Sequence, residues 1–146
     1  MSMLSIFQIS GSGMAAESLR LNTTASNLAN ADTVSNSPDT AYRAKEPLFA
    51  TIKKAVTEAG GFPDTDADAA SAGVRSLGIS ESNQPISSRY EPDNPLADES
   101  GFVYGSNVNP IDELVNMISA SRSYQSNVEV MNNAKSLMLK TLTLGQ

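Results

Sequence analysis

The stretch Phe7-Gln8-Ile9-Ser10-Gly11-Ser12-Gly13-Met14-Ala15-Ala16-Glu17-Ser18-Leu19-Arg20-Leu21-Asn22-Thr23-Thr24-Ala25-Ser26-Asn27-Leu28 decides how the chain is read. Phe7, Met14, Leu21 and Leu28 recur every seventh residue, and Gly11, Ser18 and Ala25 fall four after each of the first three. Alternating steps of four and three keep to one face of an α-helix, here with large apolar residues interleaved with small ones. Small residues on that line let a second helix approach closely. The spacing predicts a helix from residue 2 to 31, about 40 Å long at 1.5 Å per residue. The rest of its surface is Asn, Ser and Thr, which are weak helix formers. Such a helix is marginal alone and needs a partner.

The other end of the chain supplies one. Asn109 is a capping residue, Pro110 suits the first helical position, and Asp112 and Glu113 stand in the first turn, where the helix dipole favours acids. Lys135 and Lys140 complement the opposite pole, and Gly145 follows the last apolar residue. Ile111, Leu114, Ile118, Val128, Met131, Met138 and Leu142 keep helical spacing, with Tyr124 in the same stripe. About 34 residues of helix, roughly 50 Å, is a length typical of bundle or coiled-coil elements. Met117, Tyr124, Met131 and Met138 also recur every seventh residue, which reads as ordinary helix packing.

Between the ends the character changes. Pro38, Pro47, Pro63, Pro85, Pro92 and Pro95 punctuate residues 32–106. Val74–Ile79 and Phe102–Tyr104 alternate as strands do, and Leu48–Val56 reads as a strand or a short helix. Residues 57–73 are small, polar and acidic, the composition of a flexible exposed loop.

Of the 146 residues, 40% are hydrophobic but only 5% aromatic, a poor recipe for a large core. The net charge of -6 lies entirely in residues 32–105, because the charges at each end cancel. Two neutral ends and an acidic middle suggest ends that pack and a middle that faces solvent. An acidic chain is not built for nucleic acid, which requires clustered Lys and Arg. No run approaches the roughly 20 apolar residues of a membrane span. The N-terminus lacks the basic start and sustained apolar run of a cleaved secretory signal. With neither Cys nor His, the common nucleophile–base pairs and most zinc sites are excluded.

Two partial motifs fail on inspection. Gly11-Ser12-Gly13-Met14-Ala15-Ala16 has the spacing of a dinucleotide fingerprint, but the required downstream strand is missing and the helical stripe passes through the glycines. Asp64, Asp66 and Asp68 open like a calcium loop, yet Ala69 and Arg75 stand where Gly and Glu are needed. No catalytic, cofactor-binding or metal site is nominated.

The run Leu19–Thr33, centred on Asn27-Leu28-Ala29-Asn30 with Thr33 following, resembles the N-terminal signature of the bacterial flagellar axial proteins, the rod and hook family. Met117–Asn127 and the ending Lys140–Gln146 resemble that family's C-terminal signature. More narrowly, Ile9–Met14, Tyr42-Arg43-Ala44, Asn94–Glu99 and Asn107-Val108-Asn109 are similar to its proximal rod members. The resemblance implies a structural, non-enzymatic subunit without a cofactor. It implies N- and C-terminal helices paired in a coiled-coil layer lining a tube. It also implies unfolded export through the flagellar type III apparatus, and a place in the periplasmic part of the basal body.

The expected fold is therefore mainly α: long N- and C-terminal helices paired as a coiled coil, with a small irregular β-containing middle. Residues 1–31 and 107–146 form the core region, and 32–106 the middle. The expected function is a proximal rod subunit that polymerises into the drive shaft transmitting torque. Its expected partners are copies of itself, other rod proteins and the export apparatus. Phe7, Met14, Leu21 and Leu28, with Ile111, Leu114, Ile118, Tyr124, Val128, Met131, Met138 and Leu142, are the expected assembly interface. The alternative is a coiled-coil adaptor with one cognate partner, since either reading needs a partner helix. An enzyme using carboxylates of the middle region ranks third.

Overall fold

The first helix, α1 (Met3–Ala29), runs unbroken through Gly11 and Gly13. The computed structural model describes residues 3–52 and 73–144. The acidic loop expected over residues 57–73, and with it the Asp64–Asp68 cluster, lies outside the described residues apart from Gly73. The second helix, α2 (Pro110–Leu144), begins as its sequence demands. Asn109 Oδ1 accepts the Ile111 amide at 3.1 Å, and its Nδ2 donates to Asp112 at 2.8 Å.

Among the described residues, five strands lie between the helices: β1 (Val34–Ser35), β2 (Lys45–Thr51), β3 (Val74–Glu81), β4 (Ser87–Tyr90) and β5 (Phe102–Gly105). They form two antiparallel sheets, a three-stranded one ordered β1-β5-β4 and a two-stranded pairing of β2 with β3. In the second, Lys45 faces Glu81 and Thr51 faces Val74, with the register shifting between Leu48 and Phe49. A lone two-stranded ribbon is marginal in water. This one is tied to α1, because the Val74 amide donates to Ser12 Oγ at 3.1 Å.

The expectation of a mainly α fold, a coiled-coil helix pair with a small irregular β middle, is not met. Two ordered antiparallel sheets make the chain α+β, and the helix contact is no seam of large apolar side chains. The helices run antiparallel on small and polar residues. Gly11 lies opposite Met131, Gly13 opposite Asn127, and Arg20 Nη2 donates to Asn116 at 3.3 Å. Ala120 and Ala134 are buried on α2, and Ser10, Thr23, Thr24 and Asn27 on α1. Helical sidedness explains the difference. Ile111 and Met131 are twenty residues apart, and at about 100° per residue they project roughly 160° from one another. A single straight helix cannot bring both to one partner. The structure turns Met131 toward α1 and leaves Ile111 outside.

The buried apolar set is correspondingly thin. Among the described residues it comprises Ala41, Ala44, Val103, Ala120 and Ala134, of which only Val103 is larger than alanine. Val103 sits on β5, the central strand of the three-stranded sheet.

Candidate functional site

Three features have more chemistry than packing alone requires, and the first is the end of α1. Asn27 is 1% exposed. Its Nδ2 donates to the Lys45 carbonyl at 2.9 Å, and its Oδ1 accepts the Lys45 amide at 2.9 Å and the Tyr42 hydroxyl at 3.0 Å. One side chain thus imitates a strand neighbour for β2 and fastens that strand to α1. Asn30 donates to the Ser26 carbonyl at 2.8 Å, and Thr33 Oγ1 to the Asn30 carbonyl at 2.7 Å. Both add a side-chain donor to carbonyls that already accept the Asn30 and Thr33 amides, at 3.2 and 3.3 Å, and so tighten the end of the helix. Leu28 is half-buried and Ala29 exposed. Asn107 plays a matching part from the other side, accepting the Ala44 amide at 2.7 Å and donating to the Gln84 carbonyl at 2.9 Å.

The second feature is the outer face of α2. Ile111 is 72% exposed, Val115 62% and Ile118 55%, and Leu114 flanks them. Farther along, Leu137, Leu139 and Leu142 are also exposed. Of the expected interface residues, Ile111, Leu114, Ile118, Tyr124 and Leu142 are exposed, while Phe7, Met14, Leu21, Leu28, Val128, Met131 and Met138 are half-buried. They are thus not one surface. Met131 turns to α1, whereas Ile111 and Ile118 face away from it. Val115, Leu137 and Leu139 share the exposure without having been singled out by spacing, and Val115 could have been found as the neighbour of Ile111 and Ile118 on a helical wheel.

The third feature is a cleft of about 650 Å³ where α1, α2 and the β2–β3 ribbon meet. Ile9, Pro47, Phe49 and Val74 give it apolar walls, and Glu17, Arg20, Lys45, Glu46 and Glu113 bring charge. Burial pushes the Glu113 carboxyl above the usual carboxylate range, and the neighbouring Glu46 and Asp112 push the same way against Asn27 and Arg20. Spacing gave no hint of this cleft, because its residues come from four separate elements.

Elsewhere Asp98 organises a tight turn. It accepts the Phe102 and Ser100 amides, both at 2.8 Å, and the Tyr104 hydroxyl at 3.0 Å. These bonds, the Phe102 amide foremost, hold its carboxyl below the usual range. They raise the Tyr104 phenol in turn. Gly11 and Gly13 lie inside α1, so they form no strand-to-helix phosphate turn. Among the described residues, no group of three or more acidic side chains is placed to hold a metal ion. No helix among them is long and apolar enough to cross a membrane.

Comparison with known proteins points one way. Residues 7–35 match a family model described as "Flagella basal body rod protein". Residues 99–144 match one described as "Flagellar basal body rod FlgEFG protein C-terminal". The flagellar basal-body rod protein FlgC of Salmonella typhimurium is 49% identical over 146 residues, covering 100% of both chains. The protein of that name from Escherichia coli is 51% identical over the same span. The one from Buchnera aphidicola of Acyrthosiphon pisum is 42% identical over 148 residues, again covering 100% of both chains.

Proposed function

Because this chain belongs to the flagellar basal-body rod protein family, we propose that it works as a proximal rod subunit, polymerising into the shaft that transmits torque for motility. It is a structural protein of the flagellar basal body that assembles with other rod components, rather than an enzyme. The adaptor reading is not favoured, since the relatives that match its whole length are named as rod proteins.

The observation that carries the assembly mechanism is the outer row on α2. With mostly alanine buried among the described apolar residues, Ile111, Val115 and Ile118 are left more than half exposed along one helix face. Contiguous apolar surface of this kind marks an interaction site. A heterologous contact repeated from subunit to subunit without closing builds a helical tube, the geometry of a shaft. In this reading residues 1–31 and 107–146 form the assembly core, and 32–106 is carried toward the outside. The exposed members of the expected interface meet neighbouring copies and other rod proteins, while Met131 and Met138 hold α2 on α1. Transfer through the flagellar type III export apparatus into the periplasm belongs to the same reading.

The test is a strain lacking its own copy of the gene, rescued with the unaltered chain or with Ile118→Asp. Burying an unpaired carboxylate against a neighbour costs several kcal/mol, whereas at an exposed monomer position it costs little. The unaltered chain restores swimming, and Ile118→Asp does not, although its purified form has unchanged circular dichroism. Full swimming with Ile118→Asp would remove the outer row from the assembly contact.

A further inference from the structure

The cleft between α1, α2 and the β2–β3 ribbon contains two carboxylate oxygens that no donor among the described residues satisfies. Glu17 Oε2 and Glu113 Oε2 are both buried atoms without a hydrogen-bond partner. Arg20 does not fill the gap. Its Nη1 stands 3.9 Å from Glu17 Oε2, beyond hydrogen-bond distance, and its Nη2 is given to Asn116. Lys45 lies over the Tyr42 ring instead, 5.6 Å from its centre. With Glu46 the cleft has three carboxylates against two cations, and Pro47, Phe49 and Ile9 supply apolar wall.

A group suited to this cleft has a long apolar stem, a positive head and more than one N–H, so that two carboxylate oxygens are served together. Arginine has that combination, and lysine, a point charge, matches it less well.

The chain carries such a group in a place where it cannot serve itself. Arg20, Arg43 and Arg89 have partners in their own chain, whereas Arg75 and Arg122 have none among the described residues. Arg122 is exposed on the outer face of α2, about one turn beyond Ile118. Glu113, Asn116 and Asn127, which line the cleft, project from the inner face of that same helix. Donor and acceptor thus point in opposite directions from one element, and only another molecule can join them.

Resting on the rod-subunit reading, we infer that the cleft receives the Arg122 side chain of a second copy of this chain, its guanidinium set between Glu17 and Glu113. Ile118 of that copy then covers the Phe49 wall, so the salt contact and the outer apolar row belong to one interface. Each copy offers a donor on one side and an acceptor on the other. The contact is therefore heterologous and propagates rather than closing a dimer.

The experiment places Arg122→Glu, Arg122→Lys and Arg75→Glu in the deletion strain, and measures the chain that sediments with isolated basal bodies. Like charges brought together at an interface cost several kcal/mol, so Arg122→Glu lowers incorporation by about tenfold or more. Arg122→Lys falls between it and the unaltered chain, and Arg75→Glu incorporates normally. Adding Glu113→Lys to Arg122→Glu recovers part of the loss. Incorporation of Arg122→Glu at the unaltered level overturns the contact and leaves the rod reading standing. An equal loss with Arg75→Glu also overturns it, by showing a general effect of charge. If the unaltered chain does not restore swimming, it is the rod reading that fails.

Discussion

Replacing Asn27 with alanine tests the claim that one buried amide fastens α1 to β2. The substitution removes a donor to the Lys45 carbonyl and an acceptor for the Lys45 amide, both at 2.9 Å. The Tyr42 hydroxyl keeps its contact with Ser26 Oγ at 3.2 Å, so it is not counted as stranded. A backbone group left unpaired in a buried place costs about 1–3 kcal/mol. Lys45 is only half-buried, which favours the lower half of that range for each group. The expected loss is therefore about 2–4 kcal/mol, a large share of the roughly 5–15 kcal/mol that holds a domain together. For a chain of this length each kcal/mol moves the midpoint by about 2–4 °C, so Asn27→Ala melts about 10 °C lower. Thermal unfolding of the purified chain, followed by far-ultraviolet circular dichroism, measures it. A midpoint for Asn27→Ala within about 2 °C of the unaltered chain would refute the argument, because one lost hydrogen bond already exceeds that shift.

Two further substitutions probe other parts of the molecule. Burial raises the Glu113 carboxyl in the folded chain, so folding binds protons there, and stability falls as pH rises through that raised value. Glu113→Gln removes this dependence. The variant monomer is the more stable one at neutral pH, and the difference closes as the solution is made mildly acidic; urea midpoints across that range measure it. Gly101 has φ of +80°, and a Cβ there would come within 2.8 Å of the Tyr90 ring. Gly101→Ala combines left-handed backbone with that clash and lowers stability by about 1–3 kcal/mol, seen as a shifted denaturant midpoint with unchanged slope.

How much of this was readable beforehand differs from element to element, for identifiable reasons. The start of α2 was legible because Asn109, Pro110, Asp112 and Glu113 act locally, through cap and dipole. Val74–Ile79 and Phe102–Tyr104 were legible as alternating runs, and the strands Val74–Glu81 and Phe102–Gly105 contain them. Ser87–Tyr90 was not, since Ser-Ser-Arg-Tyr offers no apolar alternation and becomes a strand only because β5 pairs with it. Val34–Ser35 is two residues long and owes its place to the same neighbour. Taking these pieces for an irregular middle is what made the fold look mainly α. The family was legible because its signatures are contiguous, with Asn27 at the centre of one. What Asn27 does was not, because its partner Lys45 lies eighteen residues away. The cleft was hidden more deeply, since two half-paired carboxylates acquire meaning only once the chain has folded.

The antiparallel run of α1 against α2 has a mechanical corollary. Gly11 opposite Met131 and Gly13 opposite Asn127 put the beginning of α1 and the end of α2 at the same pole. Tension applied between those two ends peels the helices apart one contact at a time, like a zipper, and meets little resistance at any instant. A load entering at that pole and leaving at the far end, where Asn27 grips Lys45, stresses every contact along the pair in parallel. The same pair of helices is thus weak against peeling and stiff against shear.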